Sequence, residues 1–111
     1  LSERSEPQPD LTLLRPRPDF YAQAHPGPGD VLLVVEVAET SADVDRDVKV
    51  PLYARAGILE VWLVDLAGEC IEVSRMPTPQ GYQEVRRVRR GDRLVPQAFP
   101  DIRLTVDEVL G

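Results

Sequence analysis

Apolar and polar positions fall into short blocks separated by proline and glycine. Leu11 to Leu14 is a brief apolar run closed by Pro16 and Pro18, which predicts a strand. The longest apolar block, residues 30–38 (DVLLVVEVA), does not alternate. It predicts a central strand covered on both faces, as in sheets flanked by helices. Residues 40–57 predict a cap and a helix. Val48, Leu52 and Ala56 recur every fourth residue and form one face. Asp43 or Asp45 suits the cap, and Gly57 suits the position just past the last turn. Pro51 conflicts with an uninterrupted helix, so the helix either begins near Lys49 or bends there. Glu60 to Asp65 (EVWLVD) predicts a second apolar strand, Ala67-Gly68 a turn and residues 70–74 a third strand. Residues 77–81 predict a turn, with 82–88 returning as the hairpin partner. An extended piece at 102–104 and a last turn from Val106 to Leu110 complete the chain. Strand, strand, helix, strand, hairpin is the order of a mixed α/β domain.

Composition narrows the functional classes. At 111 residues the chain is one small domain, and 42 % apolar residues support one core. No apolar run approaches the ~20 residues of a membrane helix. The chain opens on Leu1 without a basic-then-apolar leader, which fits a cytoplasmic location and a fragment or trimmed product. A net charge of −6 argues against nucleic-acid binding by bulk charge. The single Cys70 excludes an internal disulfide and a multi-cysteine zinc site. The single His25 excludes two-histidine metal motifs. Eleven prolines, six of them within the first 29 residues, mark loops there, including residues 25–29 (HPGPG).

Candidate chemistry starts from Glu36, a carboxylate inside the longest apolar block. Burying it unpaired costs several kcal/mol or forces it to stay protonated, so it needs a cation, a metal or a hydrogen-bond network. The alternative is that Glu36 sits at the strand end and reaches solvent or an arginine. Lys49 follows thirteen residues later and is the only lysine in the chain. A helix folding back over the strand brings its amine towards Glu36, whereas in the alternative it is a solvated lysine beside Asp45 and Asp47. Asp10, after Pro9, reads alone as a turn residue. As a set, two carboxylates suit a hard divalent ion, and an adjacent lysine suits developing negative charge on a phosphate. Arg86, Arg87, Arg89 and Arg90 form a local basic patch that can meet phosphates or be the solvated face of an edge hairpin. Trp62 and Tyr53 read as packing residues, His25 as an exposed loop residue and Cys70 as buried rather than reactive.

Residues 36–41 (EVAETS), 45–49 (DRDVK) and 53–65 (YARAGILEVWLVD) closely resemble the Uma2 family of the PD-(D/E)XK nuclease superfamily. Pro9-Asp10 matches its "PD", and residues 98–101 (AFPD) match its C-terminal segment. The resemblance runs from about Ser5 to Leu110. It implies a restriction-endonuclease-like mixed sheet with a flanking helix and a C-terminal β-hairpin. It also implies Mg²⁺ or Mn²⁺ held by Asp10, Glu36 and the Val37 carbonyl. The superfamily's usual lysine position, two residues after the strand carboxylate, is Ala38 here; the family's pattern moves the lysine to the helix, matching Lys49. Asp45 matches a further acidic position that orients Lys49 or water, or caps the helix. Family members carry an N-terminal portion before the Pro-Asp, so residues 1–111 are expected to be one N-terminally truncated domain with an unpaired sheet edge. The implied activity is metal-dependent hydrolysis of nucleic acid, DNA in the first place, by a homodimer if two strands are cut. The reading from a different class is a catalytically inactive interaction module on the same scaffold.

Overall fold

A computed structural model of the chain describes residues 10–15, 27–40 and 42–111. The loop expectations at Pro7, Pro9, Pro16, Pro18, His25 and Pro26 lie outside the described residues. Five strands pair in chain order: β1 (Leu11–Leu14), β2 (Val31–Ala38), β3 (Glu60–Asp65), β4 (Cys70–Thr78) and β5 (Gly81–Arg89). Only β2 and β3 run parallel; the other neighbours are antiparallel, so the sheet is mixed. The middle strand β3 is buried at every position except Asp65. That explains why its sequence does not alternate. Coverage of β2 is less complete than the apolar run predicts, because Val37 is 40 % exposed.

The two sheet faces carry different cores. On one, Leu33, Trp62, Val64, Ile71, Val73 and Val88 pack with Leu94 and Val106 from the C-terminal segment. On the other, Val34 and Val61 pack with Tyr53 and Ile58. Ala38 and Leu63 meet Ala42 on that same side. The C-terminal segment is held by a short strand pair, β6 (Arg93–Leu94) with β7 (Leu104–Thr105), and by helix α2 (Val106–Leu110). Thr105 and Glu108 close a reciprocal capping box at its start. Buried Glu60 ties this segment to the sheet. It accepts hydrogen bonds from Trp62 Nε1 (2.8 Å), Arg75 Nε (2.9 Å) and the Gln97 backbone N–H (2.8 Å).

The parallel pairing of β2 and β3 requires a crossover, and the predicted helix supplies it. The conflict at Pro51 resolves as a wide turn within a continuous helix, and not as a late start. The helix begins at Asp43, widens to a π-helical turn over Asp45–Lys49, and continues as α1 (Val50–Arg55). The Val50 N–H reaches back five residues to the Asp45 carbonyl. This wide turn relieves the crowding that a proline ring imposes on the preceding turn. The buried face differs from the expected one. Val48 is 54 % exposed and Ala56 is exposed, so the predicted Val48, Leu52, Ala56 stripe does not form the packing face. Tyr53 and Ala54 are buried instead. Neither predicted cap holds: Asp43 is already helical, and Asp45 turns its carboxylate to Lys49.

The helix ends as Gly57 predicts. Gly57 has φ of +81°, its N–H bonds the Ala54 carbonyl, and the Ile58 N–H bonds the Tyr53 carbonyl at 3.1 Å. Tyr53 and Ile58 share a core cluster, completing the Schellman arrangement. The hairpin is longer than predicted, with only residues 79–80 between β4 and β5. Beyond Arg75, β4 no longer pairs with β3, so Pro77 is tolerated on a strand with one free side.

A Cβ added at Gly57 meets no atom within 4 Å, so the cost of Gly57→Ala is backbone strain alone. The variant should lose about 1–2 kcal/mol of stability, read as a lower urea midpoint with an unchanged slope.

Candidate active site

Glu36 lies on the sheet face that carries the helix. Its side chain is fully buried, at 0 % exposure. Two helix residues one turn apart meet its two oxygens. Lys49 Nζ lies 3.3 Å from Oε1, and the Tyr53 hydroxyl donates to Oε2 at 2.5 Å. Asp45, one turn before Lys49, accepts from the same ammonium at 3.2 Å. Asp45, Lys49 and Tyr53 therefore form an i, i+4, i+8 stripe running over the strand carboxylate.

Asp10 reaches this region from β1. The Leu11–Val35 pair, continued one step outward, sets Asp10 opposite Glu36. Its Oδ2 accepts the Val37 backbone N–H at 2.7 Å. The structure thus joins Glu36 and Asp45 through the Lys49 ammonium and fixes Asp10 through the backbone of Val37. Among the described residues, no group of three or more His, Cys, Asp and Glu side chains is gathered as a metal cluster.

The four arginines do not form one patch. Strand alternation sends Arg86 to the face of Val73, and Arg87 to the face of Glu72. Arg87 bonds Glu72 at 3.0 Å. Arg90 is tied to Glu69 at 2.7 Å and to Asp107 at 2.9 Å. Arg86 and Arg89 are exposed, with no ion pair among the described residues.

Glu72 is a second buried carboxylate on the helix face. It is held by Arg46 Nε at 2.8 Å and by Arg87. Glu36, Leu63 and Glu72 align across β2, β3 and β4, so the two carboxylates flank one leucine. Their titration is pushed in opposite directions. Burial raises the Glu36 pKa above the ordinary 4.5, and the bonds from Tyr53 and Lys49 do not fully offset it. Burial also acts to raise Glu72, but the two arginines outweigh it and lower the pKa. Burial pulls the Lys49 ammonium down, yet Asp45 and Glu36 together leave its pKa raised, so it stays charged. Burial and then the Glu36 bond raise the Tyr53 phenol far out of range, which keeps it a donor.

Tyr53, Arg46 and Glu72 are the contacts that the sequence reading missed. The signal for Tyr53 was its four-residue step from Lys49. It was read as packing, and it is packing as well: the ring is in the core while the hydroxyl serves Glu36.

A mixed sheet flanked by a helix, with a carboxylate on the strand beneath it, is compatible with the restriction-endonuclease-like class. Comparison with family models identifies the family: the Uma2 model, described as "Putative restriction endonuclease", matches residues 1–107. The chain belongs to the Uma2 family. The family is one of restriction-endonuclease-like nucleases, whose substrate is nucleic acid. Comparison with curated proteins and with solved structures gave no match. No helix among the described residues is long and apolar enough to cross a membrane.

The opposed carboxylates predict opposed pH effects in chelator-treated protein. Glu72 is more acidic when folded, so its contribution is present above about pH 4.5 and is lost as pH falls through its lowered folded value. Glu72→Gln should cost about 1–3 kcal/mol at neutral pH, and the gap to wild type should close in acid. Glu36 is less acidic when folded, so wild type loses stability relative to Glu36→Gln as pH rises from 4.5 through the raised value. Urea denaturation of the three proteins across pH reads both signs.

Proposed function

We propose that the chain is a metal-dependent nuclease that hydrolyses phosphodiester bonds, with DNA as the first candidate substrate. One observation carries the reading: a fully buried strand carboxylate, Glu36, meets the only lysine of the chain and a tyrosine across its two oxygens. A buried carboxylate with a raised pKa gains most from a cation brought to it.

The donor set fits Mg²⁺ or Mn²⁺. Asp10, one residue before β1, and Glu36, on the neighbouring β2, offer oxygen ligands only, with the Val37 carbonyl a third. Mg²⁺ keeps several waters and needs few protein ligands, so a gathered acidic cluster is not required. When bound there, such an ion polarises a phosphate oxygen and lowers the pKa of a water. The chain's own residues have separable tasks. Glu36 and Asp10 would hold the ion, and the Val37 N–H fixes the Asp10 carboxylate. Lys49, kept protonated by Asp45 and Glu36, orients the attacking water and offers positive charge to the phosphate as negative charge builds up on it. Asp45 positions Lys49. Tyr53 holds one oxygen of Glu36 and so fixes the rotamer of the other. A homodimer is the proposed assembly where both strands of a duplex are cut.

Plasmid cleavage in Mg²⁺ or Mn²⁺ tests this. Glu36→Gln and Asp10→Asn should fall to background, and Asp10→Asn should also lose Mn²⁺ binding. Lys49→Ala should lose about 10²–10³-fold, and Tyr53→Phe about 10–100-fold. Cleavage unchanged in both Glu36→Gln and Lys49→Ala overturns the nuclease reading and leaves the interaction module.

A further inference from the structure

A recess of about 270 Å³ opens between the helix and the β4–β5 hairpin. Val50 and Pro51 line it from the helix and Tyr82 and Val85 from β5, while buried Leu63 and Ser74 face it from the sheet. The walls are apolar except at Ser74 and at the Glu72–Arg46 pair. Ser74 is only 4 % exposed, and its hydroxyl has no hydrogen-bond partner among the described residues. Buried hydroxyls are normally paired. This one borders open space, from which a partner can reach it.

The charges beside the recess are already matched. Glu72 accepts from Arg46 Nε at 2.8 Å, from Arg46 Nη2 at 2.6 Å and from Arg87 Nη2 at 3.0 Å. The remaining Arg46 Nη1 goes to Asp43 at 3.3 Å. Arg46 thus keeps no nitrogen for an anion, and Glu72 is already held by two cations. The ligand that suits such walls is neutral. Ser74 Oγ is able to accept a hydrogen bond, and the neighbouring Glu72 oxygens only accept, so the ligand's polar edge is a donor. The Tyr82 hydroxyl is spent on the Ile58 carbonyl at 2.6 Å, which leaves its ring as a fixed flat wall. A dry apolar cavity of about 150 Å³ holds a benzene ring, so this recess has room for two fused rings.

We propose that this recess binds a small, neutral, planar heteroaromatic molecule whose ring N–H donates to Ser74 Oγ. The site stands apart from the proposed chemistry and next to it. Val50 and Pro51 directly follow Lys49, and Leu63 is the strand neighbour of Glu36. A seated ring therefore rests against residues adjoining both the lysine and the strand carboxylate.

The test is titration of the isotope-labelled chain in chelator with indole as probe, followed by amide chemical shifts. Saturable shifts should gather at Val50, Leu63, Ser74, Tyr82 and Val85. Indene has the same fused rings with a methylene group in place of the N–H. It should bind about 3–10-fold more weakly, the worth of one hydrogen bond. Ser74→Ala removes a hydroxyl that bonds nothing in the fold, so the variant should fold as wild type. In it indole should fall to the level of indene, with indene itself unchanged. Indole-3-acetate, the anionic arm, should bind no more tightly than indole. Shifts that do not saturate or that gather elsewhere overturn the site. Indene binding as tightly as indole, or an indole advantage that survives in Ser74→Ala, overturns the hydrogen bond and with it the ligand class. Tighter binding of indole-3-acetate overturns the neutral ligand. Neither metal nor cleavage enters the measurement, so its failure leaves the nuclease reading standing, and failure of the cleavage test does not produce it.

Discussion

Two carboxylates buried on one face of a sheet must each receive a cation, and here one helix meets both demands. Lys49 goes to Glu36 and Arg46 to Glu72, three residues apart on adjacent faces of the same turn. A helix that has to deliver both has one rotation about its axis and one height above the strands. Apolar contacts alone leave such a helix free to slide, because Val, Leu and Ala surfaces interchange at small cost. Leaving either charge unpaired costs several kcal/mol. The ion pairs therefore fix the register, and the apolar residues fill the space that the register leaves.

The π-helical turn belongs to the same solution. Pro51 takes away one backbone donor and crowds the turn before it, and the chain answers by inserting a residue there. Val48 lies within this turn and faces solvent, while Tyr53 follows it into the core with its hydroxyl on Glu36. The turn keeps the helix continuous past the proline, so that Lys49 before it and Tyr53 after it both reach the strand carboxylate.

The strands were legible because their apolar runs do not alternate, and Glu36 stood out as the charge inside one of them. Lys49 and Asp10 were legible through their spacing and their match to a family pattern. Gly57 was legible because its left-handed backbone is a need that few residues meet. Other features gave no sign. Glu60 and Glu72 sit where strands usually show polar residues to solvent, and only pairing across strands reveals that both are buried. The arginines of β5 looked like a patch because they are close in sequence. Alternation along the strand sets Arg86 on the opposite face from Arg87 and Arg89, and Glu72 claims Arg87. The helix face was misjudged in phase rather than in period: the inward stripe Asp45, Lys49, Tyr53 keeps the four-residue step but lies one residue away from Val48, Leu52, Ala56, because it is set by the carboxylate it meets and not by apolar residues alone.

The hydrogen bond from the Ile58 N–H to the Tyr53 carbonyl joins two functions in one residue. Tyr53 ends the helix and also holds the strand carboxylate. The connection from helix to β3 therefore has no slack: one residue added to or removed from positions 56–59 shifts either the tyrosine or the start of the central strand. The β4–β5 turn at residues 79–80 carries no such double duty. The hairpin end of the sheet is thus where added length leaves the strand carboxylate undisturbed, and the short link after the helix is where it does not.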